Sequence, residues 1–284
     1  MGGRQGRCSD RGRARILLIL CTVFGVLSVA SGFYERGSNV IAIKDEKQFK
    51  KEVLNSEFLW VVEFYREGCG YCQLLTPEWE KVAANLKHLV KVAAVDTERN
   101  RQVASKHYDD ANPIQGVPTI KLYIPSGKPG KPRVMTYQGE RKAKAIVNFL
   151  TSYMPDHVIR LKKQDGSYDA WMDDKSTPKV VLVTDKSETS ATFKALSAEY
   201  KGRVRIGKVV KKDTETFKLF GPENLPALLQ LVEDRKGNLM ALMAYDFSKG
   251  KTYSKLSNFI WDCEKEWKRE RKKEREAQGK GGDL

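Results

Sequence analysis

Two cysteines stand three positions apart in the segment Cys69-Gly70-Tyr71-Cys72. The apolar run 59–65 before them predicts a buried strand, and the residues that follow predict a helix. The sulfur of Cys69 would then lie at a helix N-terminus, where unpaired N–H groups and the helix dipole favour a thiolate, with Cys72 within disulfide reach. Such a pair can attack a disulfide through Cys69 and resolve the mixed disulfide through Cys72, or run the exchange in reverse.

Two other uses of the cysteine pair fit the residue pattern less well. A zinc site needs two further ligands, but the remaining candidates are scattered along the chain: Cys263, His88, His107 and His157. A purely structural disulfide would close a loop of only four residues, which restrains the unfolded chain little. The pattern therefore favours a redox pair, and we expect neither a metal nor another cofactor.

The composition limits the class of protein. The chain has 284 residues, of which 40% are hydrophobic, and this is enough for two cores of ordinary size. The formal charge of +15 is spread thinly apart from five Arg among the first fifteen residues, so we expect no nucleic-acid partner. Five cysteines are too few, and odd in number, for a disulfide-stapled extracellular scaffold.

The first 32 residues have the pattern of a secretory signal peptide. Arg11, Arg13 and Arg15 precede the apolar run 16–29, and small residues follow at positions 30–32. An uncleaved membrane anchor is the alternative, since the apolar stretch reaches 18 residues when counted through position 33. Either form directs the rest of the chain into the lumen. A bipartite plastid signal is a third interpretation, although the following residues are not rich in Ser and Arg.

From position 39 onward, short apolar strands alternate with amphipathic helices, which indicates an α/β fold. In the first half we predict strands at 40–43, 59–65, 90–95, 119–123 and 134–137, and helices at 45–54, 69–89, 100–108 and 141–153. In the second half we predict strands at 158–161, 179–184, 204–210 and 227–232, and helices at 191–200, 214–220 and 253–267. A boundary at Pro155-Asp156 gives domains at 33–155 and 156–263, with a charged tail at 264–284.

The second half repeats the element order of the first. Residues 224–227 open a strand with a proline as residues 116–119 do, but the segment 185–189, in the place of the cysteines, contains no thiol. Beyond Cys263 the chain carries mixed charge, with opposite charges four positions apart at 264/268 and 272/276. This pattern predicts a solvated helical extension, and a surface for an acidic partner is the alternative.

The segments LWVVEFYREGCGYC, IQGVPTIKLY and YQGERKAKAIV resemble the catalytic domain of the protein disulfide isomerases of the endoplasmic reticulum, members of the thioredoxin superfamily. The resemblance is greatest to the first catalytic domain of the subfamily often called P-five. It implies an α/β fold of two tandem thioredoxin-like domains, each a mixed central sheet flanked by helices, with a charged helical C-terminal extension. It covers 39–153 strongly, and over 158–263 it implies a redox-inactive b-type domain. That subfamily usually carries two catalytic domains, whereas this chain has one.

The resemblance also implies residue roles. Cys69 corresponds to the nucleophile and Cys72 to the buried resolving thiol. Glu63 corresponds to a buried acid that accepts the proton of Cys72, because a desolvated carboxylate has a raised pKa. Pro118 corresponds to a cis proline facing the cysteines. The implied substrate-binding residues are Gly70, Tyr71, Val117 and Pro118, with the backbone of Val117 hydrogen-bonding to an extended substrate segment.

This sequence departs from the family pattern at several positions. Members usually have Trp before the first cysteine and His before the second, where this chain has Gly68 and Tyr71. Gln115 stands in the stretch where many members have an Arg that assists the second cysteine. The C-terminus, 281–284, reads GGDL and is not a standard retention signal. Cys263 is expected either as a buried thiol or as a handle for an intermolecular bond.

These features together predict a lumenal thiol-disulfide oxidoreductase or isomerase of the endoplasmic reticulum or secretory pathway. Its expected partners are unfolded or misoxidised secretory polypeptides and a lumenal thiol oxidant or glutathione, with no membrane association after signal cleavage. A non-enzymatic lumenal chaperone or scaffold is the main alternative. A reductase of a plastid-related compartment is the third.

Overall fold

The computed structural model describes residues 33–34, 37–106, 113–233 and 239–279. The predicted signal segment therefore lies outside the described residues, as do the end of the predicted helix at 100–108 and the C-terminal GGDL. Within the described part of the chain, no helix is both long and apolar enough to cross a membrane.

The N-terminal half forms a five-stranded mixed sheet with strand order β1-β3-β2-β4-β5. Its strands are β1 (Ile41–Ala42), β2 (Trp60–Tyr65), β3 (Lys91–Asp96), β4 (Thr119–Ile124) and β5 (Arg133–Thr136). Its helices are α1 (Glu46–Gln48), which continues as a π-helical stretch at Phe49–Leu54, α2 (Gly70–Asn85), α3 (Arg101–Ser105) and α4 (Ala143–Ser152). β1, β3 and β2 are parallel, whereas β4 and β5 are antiparallel to their neighbours, as the predicted fold class requires.

β2 is the central strand because both of its faces are covered. Val61 and Tyr65 belong to the hydrophobic core that includes α2 and α4, and Val62 and Phe64 belong to a second core on the opposite face. All six of its residues are buried, which explains the nearly continuous apolar run in the sequence. Glu63, the exception in that run, is buried with them.

α2 ends earlier than predicted. It ends at Asn85, four residues before the predicted end at 89, because the chain turns there with His88 at a positive φ of 68°. Leu75 and Val82 lie on the buried face of the helix. Leu74 lies outside this face, and its side chain is 73% exposed.

The C-terminal half forms a second five-stranded sheet with order β10-β9-β7-β8-β6, the same arrangement as the first. Its strands are β6 (Ile159–Arg160), β7 (Lys179–Thr184), β8 (Arg205–Val210), β9 (Ala227–Glu233) and β10 (Leu239–Ala244). Its helices are α5 (Ser167–Asp173), α6 (Ala191–Glu199), α7 (Thr214–Lys218) and α8 (Tyr253–Gly279), with a 3₁₀ turn at Phe247–Lys249. The predicted internal repeat is confirmed, although α5 and β10 were not predicted.

α8 runs from the second core into a charged extension. Ile260 and Cys263 pack against the C-terminal sheet, and the helix then continues well past the predicted end at 267. The predicted pairs are present, with Nζ of Lys268 at 2.6 Å from Glu264 and Nζ of Lys272 at 3.7 Å from Glu276. These pairs support a helix that has few apolar contacts of its own.

The packing of β8 gives a test of the second core. A Cβ atom at Gly207 would lie 2.6 Å from Cδ1 of Leu161 and 3.1 Å from Cζ2 of Trp171. We therefore expect Gly207→Ala to lower the free energy of unfolding by about 1–3 kcal/mol, as overpacked cores do. Urea unfolding monitored by circular dichroism measures this loss.

The cause of that loss can be isolated with a second substitution. Leu161→Ala removes the atom that the new methyl group meets, so the cost of the double variant should be less than the sum of the two single costs. Additive costs would show that Leu161 is not the source of the overpacking.

Candidate active site

Cys69 and Cys72 lie where the chain passes from β2 into α2. Cys69 is the N-cap of the helix, and its Sγ accepts a hydrogen bond from the N–H of Cys72 at 3.2 Å. The two residues form a disulfide with their Cα atoms 5.3 Å apart. Cys69 is 9% exposed and Cys72 is 0% exposed, so of the two residues only Cys69 is accessible from the surface. The predicted position of the pair at a helix N-terminus is confirmed.

Neither chain neighbour of Cys69 carries an aromatic side chain, because both are glycines. Gly68 adopts a positive φ of 79°, a conformation that side chains rarely adopt, so this backbone path favours a glycine before Cys69. Gly70 has no atom within 4 Å of where a Cβ would stand. Tyr71 points into solvent with 72% exposure, and Leu74 is exposed one turn further along α2. The two exposed side chains flank the disulfide.

The loop before β4 brings Val117 and Pro118 to the disulfide. The Val117–Pro118 peptide bond is cis, as the family resemblance implies. The carbonyl oxygen of Val117 lies 3.7 Å from Sγ of Cys69. A groove of about 400 Å³ lies beside this loop, and Gln115 and Arg141 are among its lining residues.

Glu63 lies inside the core, on the face of β2 that α2 covers. It pairs with Ala94 on β3 and Ile120 on β4, and its side chain is completely buried. Burial raises the pKa of this carboxyl from 4.5 to about 7, although a hydrogen bond from Tyr34 and the charge of Arg141 act to lower it. The predicted buried acid with a raised pKa is therefore present.

Sequence reasoning missed two polar side chains at this site. The hydroxyl of Tyr34 donates to Oε2 of Glu63, although Tyr34 lies before the first predicted strand. Arg141 donates to the carbonyl oxygen of Pro118 at 3.0 Å and places a positive charge near Glu63. The family resemblance implies such a charge in the stretch that contains Gln115, but the folded chain supplies it from Arg141, two residues before α4.

The corresponding place in the C-terminal sheet has a different chemistry. Leu182 on β7 pairs with Lys208 on β8, just as Glu63 pairs with Ala94 in the first sheet. The amino group of Lys208 donates to the carbonyl oxygen of Ser187 at 2.8 Å and to Oγ1 of Thr189 at 2.7 Å. Because this loop contains no thiol, it cannot carry out disulfide exchange.

Cys263 is the free cysteine of the described residues. It is completely buried in the second core, and this burial raises the pKa of its thiol to about 12. The interpretation of Cys263 as a buried thiol is therefore confirmed, since a thiol of this kind is inert at neutral pH. Among the described residues, no group of three or more His, Cys, Asp or Glu side chains could hold a metal ion.

Comparison with known proteins agrees with this geometry. Residues 40–152 match the thioredoxin family. A protein of Dictyostelium discoideum named for protein disulfide-isomerase is 34% identical over 225 residues, which are 78% of this chain and 53% of that protein. Protein disulfide-isomerase A6 of Homo sapiens is 38% identical over 175 residues, 60% of this chain and 37% of that protein. The chain thus spans about half or less of the length of these curated relatives.

A solved structure, the crystal structure of ERdj5 form II, has a similar fold. It aligns with a TM-score of 0.50 at 21% identity over 82% of this chain and 31% of the other. The fold and the disulfide at the start of α2 together define a thioredoxin-fold protein with a disulfide-bonded cysteine pair at a helix N-terminus. The match of residues 40–152 and the similarity to proteins named as disulfide isomerases support a place in the protein disulfide-isomerase family of the thioredoxin superfamily.

The buried acid should make stability depend on pH. In the unfolded chain the carboxyl of Glu63 titrates near 4.5 and in the folded protein near 7. The unfolded state therefore releases this proton first, and the free energy of unfolding should fall as pH rises between these two values. We expect Glu63→Gln to remove this fall, making the variant more stable than wild type by about 3 kcal/mol at about pH 8 but not at about pH 4.

Denaturant unfolding of both proteins across this pH range measures the difference. Parallel stability curves for wild type and Glu63→Gln would show that the carboxyl does not titrate in this interval.

Proposed function

We propose that this protein is a thiol-disulfide oxidoreductase or isomerase in which Cys69 is the attacking sulfur and Cys72 the resolving sulfur. The observation that carries the proposal is a disulfide at the start of α2 in which Cys69 is slightly exposed and Cys72 is completely buried. A buried acid of raised pKa on the neighbouring strand supports it. The names of the relatives reported above agree with this activity.

In the oxidising direction, a substrate thiolate attacks Sγ of Cys69 and breaks the Cys69–Cys72 bond. A mixed disulfide forms, and Cys72 leaves as a thiolate that takes the proton of Glu63. A second substrate thiolate then attacks the substrate sulfur of the mixed disulfide and releases Cys69 as a thiolate. The substrate has lost two electrons and the cysteine pair has gained them. In the reducing direction, Glu63 accepts the proton of Cys72 so that its thiolate can release the substrate.

The substrate segment next to its cysteine would lie against the loop before β4. The position of Val117 beside Cys69 and the adjoining groove support binding of an extended backbone there. Gly70 leaves space above the helix terminus, and the exposed ring of Tyr71 offers an apolar contact to the approaching chain. In this assignment Gly70, Tyr71, Val117 and Pro118 bind substrate and supply no group to the reaction.

The domain division that we propose places catalysis in residues 33–155 and binding of substrate or partner in the redox-inactive residues 156–263, with 264–284 as a charged tail. The substrates would be unfolded or misoxidised secretory polypeptides, and the pair would be recycled by a lumenal thiol oxidant or glutathione. The predicted signal segment and the endoplasmic-reticulum relatives support a place in that lumen or the secretory pathway. Localisation of a tagged protein with its own C-terminus free tests this assignment.

A chaperone or scaffold without redox activity is the competing function, and two assays separate it. Insulin reduction should be lost in the variant Cys69→Ser/Cys72→Ser if the pair is catalytic. Suppression of aggregation should survive in the same variant if the second sheet binds unfolded chains. If the variant keeps both insulin reduction and suppression of aggregation, the proposed function is rejected.

The division of labour between the two sulfurs gives a trapping test. Because Cys72 resolves the mixed disulfide, Cys72→Ala should accumulate disulfide-linked complexes with substrate, whereas Cys69→Ala should not. Non-reducing gels after acid quenching display these complexes. Equal trapping by the two variants would contradict the assignment of Cys69 as the exposed nucleophile.

The residue between the cysteines gives a test of the reduction potential. A protonated His stabilises the Cys69 thiolate and with it the reduced pair, whereas a Tyr is neutral at lumenal pH. We expect Tyr71→His to raise the reduction potential by some tens of mV, the shift that about one to two kcal/mol of thiolate stabilisation produces. Equilibration with glutathione buffers measures the potential.

Tyr71→Phe is the matched control for this experiment and should leave the potential close to that of the wild type. An unchanged or more negative potential in Tyr71→His would show that the helix terminus sets the potential without help from the intervening residue.

A further inference from the structure

Tyr34 reaches the buried acid from outside the region that matches the thioredoxin family. That match begins at residue 40. The ring of Tyr34 meets the ring of Tyr65 edge-on, with 5.9 Å between the centroids. The ring of Phe33 also packs against Tyr65, with 4.9 Å between the centroids. These contacts fix the ring of Tyr34 against the end of β2, where its hydroxyl donates to Oε2 of Glu63.

The same hydroxyl also lies beside the helix that carries the resolving cysteine. The side chain of Thr76 on α2 lies close enough to this hydroxyl to act on the pKa of Tyr34, in the downward direction. Oγ1 of Thr76 donates in turn to the carbonyl oxygen of Cys72 at 2.9 Å. One hydroxyl therefore stands between the carboxyl of Glu63 and the turn of α2 that holds Cys72.

We propose that Tyr34 is a positioning residue for Glu63, which holds the carboxylate by a hydrogen bond and sets the pH at which this acid exchanges a proton with Cys72. This proposal rests on the proposed function, because it deepens the role of the buried acid. It assigns a part of the site to a segment that precedes the first strand.

The surroundings of Glu63 leave few other groups to perform this task. β3 and β4 present Ala94 and Ile120 opposite it. The polar groups that face the carboxyl are the hydroxyl of Tyr34 from the N-terminal segment and the guanidinium of Arg141 from the loop before α4. Tyr65 lies on its own strand. Among the described residues, Oε1 of Glu63 has no hydrogen-bond partner, which leaves Oε2 as the bonded oxygen.

The hydroxyl remains a donor throughout the titration of the acid. Burial and the nearby charge of Glu63 raise the pKa of Tyr34 far above its ordinary value, so Tyr34 stays protonated wherever Glu63 changes state. An O–H donor stabilises the carboxylate more than the neutral acid. Loss of the hydroxyl should therefore raise the pKa of Glu63 beyond its value of about 7.

Tyr34→Phe tests the proposal because it keeps the ring and removes the donor. We expect carbon-13 NMR of the glutamate carboxyls in the reduced full chain to show an upward shift of about one pKa unit at Glu63, a tenfold change in its protonation equilibrium. The rate of mixed-disulfide resolution should fall about fivefold at pH 7, where the ionised fraction drops from about one half to about one tenth, and should recover at higher pH.

Two controls separate this effect from a loss of packing. Tyr153→Phe removes a hydroxyl from a ring that packs against Phe149 at the end of α4, and it should leave both the titration and the rate profile unchanged. Tyr34→Phe added to Glu63→Gln should not move the rate profile further, because the titrating acid is absent. A shift of the profile in that background would assign the effect to structure and overturn the proposal.

The two levels of the proposal fail in different ways. If the NMR titration of Glu63 is the same in wild type and Tyr34→Phe, Tyr34 does not position the acid and the inference is overturned, whatever the activity. If neither protein exchanges disulfides but the titration shifts, the proposed function fails while the link between Tyr34 and Glu63 stands.

Discussion

The N-terminal sheet must accommodate a carboxyl group that is enclosed between its central strand and the helix of the two cysteines. Holding Glu63 where its pKa rises from 4.5 to about 7 opposes folding by about 3 kcal/mol once the group is charged. The surrounding structure compensates through hydrophobic packing on both faces of β2 and through polar contacts from two distant segments. The carboxyl that we propose as the proton acceptor of Cys72 is thus a burden on the fold.

The second sheet shows the same architecture without that burden. Leu182 takes the place of Glu63. The neighbouring Lys208 donates hydrogen bonds to the loop that stands where the first sheet has its cysteines. The scaffold therefore does not require a carboxyl on its central strand, and Glu63 is an addition to it. This contrast supports the proposed division between an N-terminal half that performs disulfide exchange and a C-terminal half that binds substrate or partner.

The sequence predicted the parts of the fold that local pattern determines. The run 59–65 and the spacing of Cys69 and Cys72 were sufficient to place the central strand and the start of α2. The missed elements have weak local signals: α5 buries only Tyr168 and Trp171, and β10 depends on its pairing with β9. Tyr34 and Arg141 could not be assigned from spacing, because each reaches Glu63 only when the chain has folded around it.

The burial of Cys263 limits the number of thiols that can react in the folded protein. With that sulfur sealed inside the second core and protonated at neutral pH, the described residues contain one accessible two-electron couple. Mild alkylation of the native protein should therefore mark Cys69 in the reduced form and neither sulfur of the pair in the oxidised form. The mass added to an intact molecule then reports directly the occupancy of its oxidised and reduced forms, with no background from a third thiol in this part of the chain.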